Sequence, residues 1–266
     1  MFSFEEISVP CLMGIVNVTP DSFSDGGKFL DARAAAAHAR ELVRQGAGML
    51  DLGAEASSFF RAGVGPIAAE EQLRRLVPVL EELRAGPAPG AVMSVDTRSA
   101  EVAREVLRRG AWIINDISAG THEPEILEVV AEAGAGIVLM HMGAGFPATP
   151  RKDDAEIVET VRDYLGERVR AAVEAGISVG RIAVDPGVGF GKTMADNWRL
   201  ATRASEVRPE GFGGPVVLGA SRKRFLETAP PGDVVLPADW RVRVDRLQSG
   251  SKHVRDGASA TVTAAA

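Results

Sequence analysis

Two aspartates, an asparagine and a lysine stand where short apolar runs end. Residues 94–98 read S-V-D-T-R, 113–117 read I-I-N-D-I, 184–192 read V-D-P-G-V-G-F-G-K, and 219–225 read G-A-S-R-K-R-F. Asp96, Asn115 and Asp185 thus leave candidate strands, and Lys223 follows another. Two carboxylates and an amide facing one pocket suit a flat ring with N–H donors and a carbonyl, such as an aminopyrimidinone, because each buried donor needs an acceptor. Lys223 could donate to the ring carbonyl and lay its stem on a ring, and Arg224 could meet a carboxylate. A fifth segment, 17–27, reads N-V-T-P-D-S-F-S-D-G-G after the apolar run 12–16. It is a turn-rich loop that can bring Asn17 and Asp25 to a ligand, with Gly26 and Gly27 as hinges.

Each of these residues alone is an ordinary strand-end cap. Their number argues for more. Candidate strands are 11–17, 48–52, 91–95, 111–115, 136–141, 181–185 and 215–220, with helical patterns between them. Around 70–83 the residues Leu73, Leu76, Val77, Leu80 and Leu83 mark one apolar face, interrupted by Pro78. Around 154–175 the residues Ile157, Val158, Val161, Leu165, Val169 and Val173 do the same. Gly46, Gly110, Gly134 and Gly176 follow helical stretches, where left-handed caps are expected. Strand–helix alternation predicts parallel strands covered by helices. Polar residues end all seven runs: Asn17, Asp51, Asp96, Asn115 with Asp116, His141, Asp185, and Ser221 to Lys223. Seven strand ends converge on one mouth in a (β/α)8 TIM barrel but not in a doubly wound sheet, so the barrel is the expected fold. For Asp51 the expectation is a simple helix cap. For His141 a hydrogen-bonded core imidazole is as good a reading as a direct role.

Composition narrows the function. The chain has 266 residues, 45% of them apolar, enough for one sizeable domain spanning 1–266. A net charge of −6 leaves no broad basic face for nucleic acid. Cys11 is the single cysteine, which removes a disulfide framework and favours a reducing cytoplasm. No run is long enough to span a membrane, and the N-terminus lacks a signal pattern. The glycine loop 185–192 resembles a phosphate loop only through Lys192 and Thr193, since it lacks that motif's spacing.

The loop 17–27, the S-V-D, I-N-D, L-M-H-M and D-P-G-V-G-F-G-K segments and the S-R-K-x-F run resemble, in order, the signatures of dihydropteroate synthase, of the pterin-binding family. The resemblance covers Leu12 to Ala266. It implies condensation of 6-hydroxymethyl-7,8-dihydropterin diphosphate with p-aminobenzoate, assisted by Mg2+. By position, it implies that Asn17 contacts magnesium or diphosphate and that Phe23 and Asp25 belong to a loop ordering over substrate. Asp96, Asn115 and Asp185 would bind the pterin, with Met140 packed on it and Lys223 at its carbonyl. Gly189 and Phe190 would line the p-aminobenzoate pocket, with Ser57, Arg61 and Arg224 also at the substrates. Asp25, Asp96, Asp185 and Lys223 are the expected catalytic groups. A homodimer is the expected assembly. A corrinoid-directed pterin methyltransferase and a non-catalytic pterin-binding paralogue are the alternatives.

The chain departs from the family pattern twice. The second loop reads A-E-A-S-S-F-F-R-A-G over 54–63. Ser58, Phe59 and Phe60 look inserted before Arg61, which is either a tolerated lengthening or an altered aryl pocket that would discriminate against sulfonamides. Residues 255–266 resemble the family's seventh helix, after which the chain ends. The expected barrel is therefore C-terminally incomplete, lacking its eighth strand and helix, with an open edge. Lys252 to Arg255 hold the residue types of the family's diphosphate motif in the wrong order, and that motif is not assigned to them.

Overall fold

A computed structural model describes residues 2–8, 10–18, 28–55, 67–85, 90–143, 156–220, 223–234 and 260–263. Seven strands run parallel in sequence order: β1 (Cys11–Asn17), β2 (Met49–Gly53), β3 (Val92–Asp96), β4 (Ile113–Asp116), β5 (Gly136–Met140), β6 (Ile182–Asp185) and β7 (Val216–Leu218). The described helices are α1 (Lys28–Arg44), α2 (Ala69–Ala85), α3 (Ala100–Arg108), α4 (Glu125–Ala133), α5 (Ile157–Glu174) and α6 (Met194–Thr202). Pro78 lies inside α2 without ending it. The four expected glycine caps all have positive φ, from 62° at Gly134 to 104° at Gly46.

Apart from β1, where Leu12, Ile15 and Asn17 are exposed, the strands are largely buried on both faces, as parallel strands between a barrel interior and covering helices must be. One face of each strand joins the helices. Val16, Leu50, Leu52, Val95, Ile114, Ile137, Leu139, Ile182 and Val184 lie in a continuous core with apolar residues of α1 to α6. The other face points into the barrel. Met13, Met49, Ile113, Val138, Ala183 and Val217 form a separate inner cluster, joined by Phe2 and Phe4 from the N-terminal segment. Side chains alternate along a strand, so two residues beyond each inner apolar residue is another inward position, nearer the C-terminal mouth. That rule carries Met49 to Asp51, Ile113 to Asn115, Val138 to Met140 and Ala183 to Asp185.

The barrel closes differently from expectation. The resemblance of 255–266 to the family's seventh helix implies a helix there, but residues Ala260–Thr263 form β8. This strand runs antiparallel to both neighbours, pairing Cys11 with Val262 and Val217 with Val262. Its composition, A-T-V-T, favours a pleated strand, and two unpaired edges offer hydrogen bonds that a helix there would leave unused. The expectation of a missing eighth strand is thus corrected, since an eighth strand is present and antiparallel. The expected open edge is corrected with it, because β8 closes the ring.

Candidate active site at the barrel mouth

Register sets the geometry of the mouth. Asn17 pairs with Gly53, Gly53 with Asp96, and Asp96 with Asn115, so these four occupy one row around the barrel. On the far side Met140 pairs with Asp185. A Cβ added to Gly53 would lie 3.6 Å from Asp96 Oδ2 and 3.7 Å from Asn17 Oδ1. The amide oxygen and the carboxylate therefore border one space, left clear by the missing side chain. Asn17 is exposed, Asp96 and Asn115 are half-buried, and Asp185 and Met140 are buried.

Asp51 sits beneath this row and corrects the expectation of a helix cap. Its side chain is inside the barrel and buried. Ser94 Oγ donates to Asp51 Oδ1 at 2.7 Å, and Asn115 Nδ2 donates to Oδ2 at 2.9 Å. Asp51 thus orients Asn115 from below. The neighbouring Asp116 behaves as strand alternation dictates and points outward. It is fully buried and accepts from the backbone N–H and hydroxyl of Ser118 and from the Gly120 N–H. Asp116 builds the β4–α4 turn. His141 also leaves the mouth. Its ring is buried edge-on against Tyr164 of α5, centroids 4.9 Å apart, in keeping with a core imidazole.

The electrostatics of the mouth are those of crowded carboxyls in little water. Burial pushes Asp51 above the ordinary carboxylate range, opposed by its bonds from Ser94 and Asn115. Asp96 is raised well above that range, by burial first and then by the charges of Asp51, Glu55 and Asp116, against the pull of Arg98. Asp185 is pushed up to about 6 by burial, partly offset by the Gly187 N–H and by Lys223 and Lys192. Desolvation is the leading cause for all three, as expected where a pocket awaits a polar ligand.

The glycine loop after β6 brings the remaining groups in. Gly187 N–H donates to Asp185 Oδ1 at 2.6 Å, and Gly189 N–H to Asn197 Oδ1 at 2.6 Å. Gly189 has φ +86°, and an added Cβ would stand 2.7 Å from Lys223 Cδ. Only glycine permits both that conformation and that approach. Lys223 Nζ lies 4.1 Å from the centre of the Phe190 ring, a cation–π contact joining the β6 and β7 loops. Lys192 Nζ donates to the carbonyls of Gly187, His141 and Phe190 at 2.8, 3.0 and 3.1 Å. It is engaged with the loop's own backbone, where a phosphate-loop lysine would point at a ligand.

Of the expected site residues, Asn17, Asp96, Asn115, Met140, Asp185, Gly189, Phe190 and Lys223 come together at this end of the barrel. Arg224 is exposed at the start of the short helical turn that follows Lys223. Phe23, Asp25, Ser57 and Arg61 lie outside the described residues, as do the inserted Phe59 and Phe60. Sequence reasoning missed Asp51 as an inward group and Lys192 as a loop anchor.

The comparisons with known proteins decide the lineage. The model of the pterin binding enzymes matches residues 13–255. This chain belongs to that family. Dihydropteroate synthase from Mycobacterium leprae is 42% identical over 236 residues, covering 87% of this chain and 78% of the relative. A mitochondrial folate synthesis bifunctional protein of Pisum sativum is 40% identical over 227 residues, and the chain spans 43% of its length. A solved Xanthomonas albilineans dihydropteroate synthase with 4-aminobenzoic acid is 43% identical with a TM-score of 0.71, covering 82% of this chain and 75% of the other. Family membership and barrel architecture therefore agree.

Proposed function

We propose that this chain is a dihydropteroate synthase, joining 6-hydroxymethyl-7,8-dihydropterin diphosphate to p-aminobenzoate with release of diphosphate. The observation that carries the reading is the set of three polar side chains, Asp96, Asn115 and Asp185, at the mouth of a pterin-binding-family barrel. Asp185 is ionised above about pH 6 and accepts ring N–H donors. Asp96 keeps its proton to higher pH than an ordinary carboxyl, so the pair can offer both an acceptor and a donor to the ring. Asn115, aimed by Asp51, adds amide contacts. Lys223 donates to the ring carbonyl, and Met140 packs on the ring face.

In the reaction, the bond between the pterin methylene carbon and the diphosphate oxygen breaks, the oxygen keeping the electron pair. The arylamine nitrogen then bonds to the methylene carbon and loses a proton. Positive charge developing on the pterin is stabilised by Asp185, fixed in place before the charge appears. The glycine loop, with Gly189 and Phe190, forms the wall for p-aminobenzoate, and Arg61 and Arg224 are the candidate partners for anionic groups. Asp25 and Phe23 belong to the loop that would close over the pterin.

Magnesium fits this mouth modestly. Among the described residues no group of three His, Cys, Asp or Glu side chains is arranged for a metal. Asn17, an exposed residue whose Oδ1 borders the same space as the Asp96 carboxylate, would offer magnesium a hard oxygen donor, with water and phosphate completing the shell. The ion would neutralise charge on the departing diphosphate. A homodimer in the cytoplasm is the setting we infer. The lone cysteine, Cys11, is a buried free thiol, which supports a reducing compartment. No helix among the described residues is long and apolar enough to cross a membrane. The inserted Phe59 and Phe60 support tolerance of sulfonamides, which carry a substituent beyond p-aminobenzoate.

The test supplies the purified chain with both substrates and measures diphosphate and 7,8-dihydropteroate. Product that needs both substrates and magnesium supports the reading. Binding of the pterin without turnover would favour a non-catalytic paralogue, and binding of methyltetrahydrofolate in its place would favour a methyltransferase.

A further inference from the structure

Lys192 follows directly on the glycine loop and precedes Thr193, which caps α6 through a reciprocal pair of bonds with Asp196. Its ammonium has three N–H donors, and three backbone carbonyls lie within 3.1 Å of it. Two of those carbonyls, of Gly187 and Phe190, belong to the loop itself. The third, of His141, belongs to the segment leaving β5. The loop is drawn to that segment again by the Gly143 N–H, which donates to the Phe190 carbonyl at 3.2 Å. An added Cβ on Gly187 would lie 2.0 Å from the His141 carbonyl oxygen, so loop and strand end are already in closest approach.

We propose that Lys192 is a positioning residue for the arylamine half of the site. Its ammonium clamps the turn between Gly187 and Phe190 onto the end of β5, and thereby fixes the Phe190 ring under Lys223. Three facts join into this inference. The clamp holds both ends of the turn. The Phe190 ring, at one end of that turn, carries the Lys223 ammonium at 4.1 Å. Gly189, in the middle, abuts the Lys223 stem so closely that a methyl group would not fit. A turn held at both ends leaves Lys223 one place to lie. Release of the clamp would let Phe190 drift and carry its wall of the p-aminobenzoate pocket with it, so binding of that substrate suffers before the chemistry does.

The same ammonium has a second, electrostatic effect. Asp185 is faced by Lys223 from the β7 loop, by Lys192 and the Gly187 N–H from its own loop, and by Asp51 from β2. The two lysines favour its charged form and Asp51 opposes it. Neutralising Lys192 would therefore move the ionisation of Asp185 to higher pH.

The inference rests on the synthase reading for its kinetic part, and on the loop geometry alone for its structural part. The experiment compares the full chain with Lys192→Met and Lys192→Arg. Methionine keeps the stem and removes charge and donors. Arginine keeps the charge, but its planar fork cannot aim at three convergent carbonyls. For Lys192→Met, the KM for p-aminobenzoate should rise on the order of tenfold while kcat changes less, and the acid limb of pterin binding should move to higher pH. For Lys192→Arg, the KM should rise while the acid limb stays in place. A purely structural lysine would lower the melting temperature and the active fraction in both variants with KM and acid limb unmoved, and that result overturns the proposal. Amide exchange at Gly189 and Phe190 is read in parallel. It should quicken in both variants, and unchanged protection there overturns the clamp even if the wild-type chain shows no condensation.

Discussion

Asp51 accepts the Asn115 carboxamide nitrogen at 2.9 Å while holding the Ser94 hydroxyl at 2.7 Å. The carboxylate is thus a fixed support beneath Asn115, deciding which end of that amide turns inward. Truncation to alanine removes the acceptor from a buried donor, which costs about 1–3 kcal/mol. Asp51→Ala should therefore weaken pterin binding by roughly tenfold or more. Asp51→Asn, which keeps an acceptor and the shape, should lose less. Calorimetric titration with 6-hydroxymethyl-7,8-dihydropterin measures both, and equal affinity in Asp51→Ala and wild type would show that Asn115 needs no such support.

Asp185 should make the protein less stable at neutral pH than it need be. Its folded value, about 6, lies above the ordinary 3.8. Below about pH 4 the carboxyl is protonated in both folded and unfolded chains and costs nothing. Between about pH 4 and 6 the unfolded chain gives up this proton while the folded carboxyl keeps it, so stability falls across that window by up to about 3 kcal/mol and levels off above about 6. Asp185→Asn should accordingly melt higher than wild type at pH 8, with the difference shrinking toward pH 4, while losing pterin affinity. Thermal melts across that range decide it. A variant melting lower at pH 8 would mean that the charge is a net stabiliser.

Gly189→Ala should injure the site more than the fold. The φ of +86° strains any L side chain by roughly 1–3 kcal/mol, and the new methyl would displace Lys223. Since Lys223 is the proposed donor to the ring carbonyl, affinity for the pterin should drop along with turnover. Retained affinity in a folded variant would separate Lys223 from the pterin.

The inserted phenylalanines give a test that uses the substrate analogue. Deleting Ser58, Phe59 and Phe60 should lower the sulfonamide inhibition constant relative to the KM for p-aminobenzoate. A clash worth a few kcal/mol would shift that ratio by about a hundredfold. An unchanged ratio would reduce the insertion to a difference in loop length.

Much of the barrel is legible in the chain, and the reason is physical. Cys11 to Asn17 is one apolar run ending in a polar residue, and the strand occupies it end to end. Asp96, Asn115 and Asp185 are each readable as strand-end groups, because buried backbone must finish before a polar side chain can reach solvent or ligand. Asp51 was harder to read. In M-L-D-L-G both faces of the strand are buried, so no alternation tells which residues point inward. Only pairing with Ser94 reveals it. Lys192 was hidden for another reason, since its acceptors are backbone carbonyls, one of them fifty-one residues away at His141. The strand Ala260–Thr263 is not legible in the chain, because resemblance to a family helix carries no information on the two strand edges with which these residues pair.

The central claim is that Asp96, Asn115 and Asp185 form a pterin pocket, and direct titration of the ring compound tests it most closely. Wild-type chain, Asp96→Ala and Asp185→Ala would each be titrated with 6-hydroxymethyl-7,8-dihydropterin at pH 7.5 (a condition set above the ionisation of Asp185, about 6). Folding of each is checked by thermal melt. The account predicts saturable one-to-one binding by the wild type and affinity reduced by at least about tenfold in each folded variant, since each loses a hydrogen-bonding partner of the buried ring. Undiminished affinity in both folded variants would contradict it, and would move the pterin away from the mouth of this barrel.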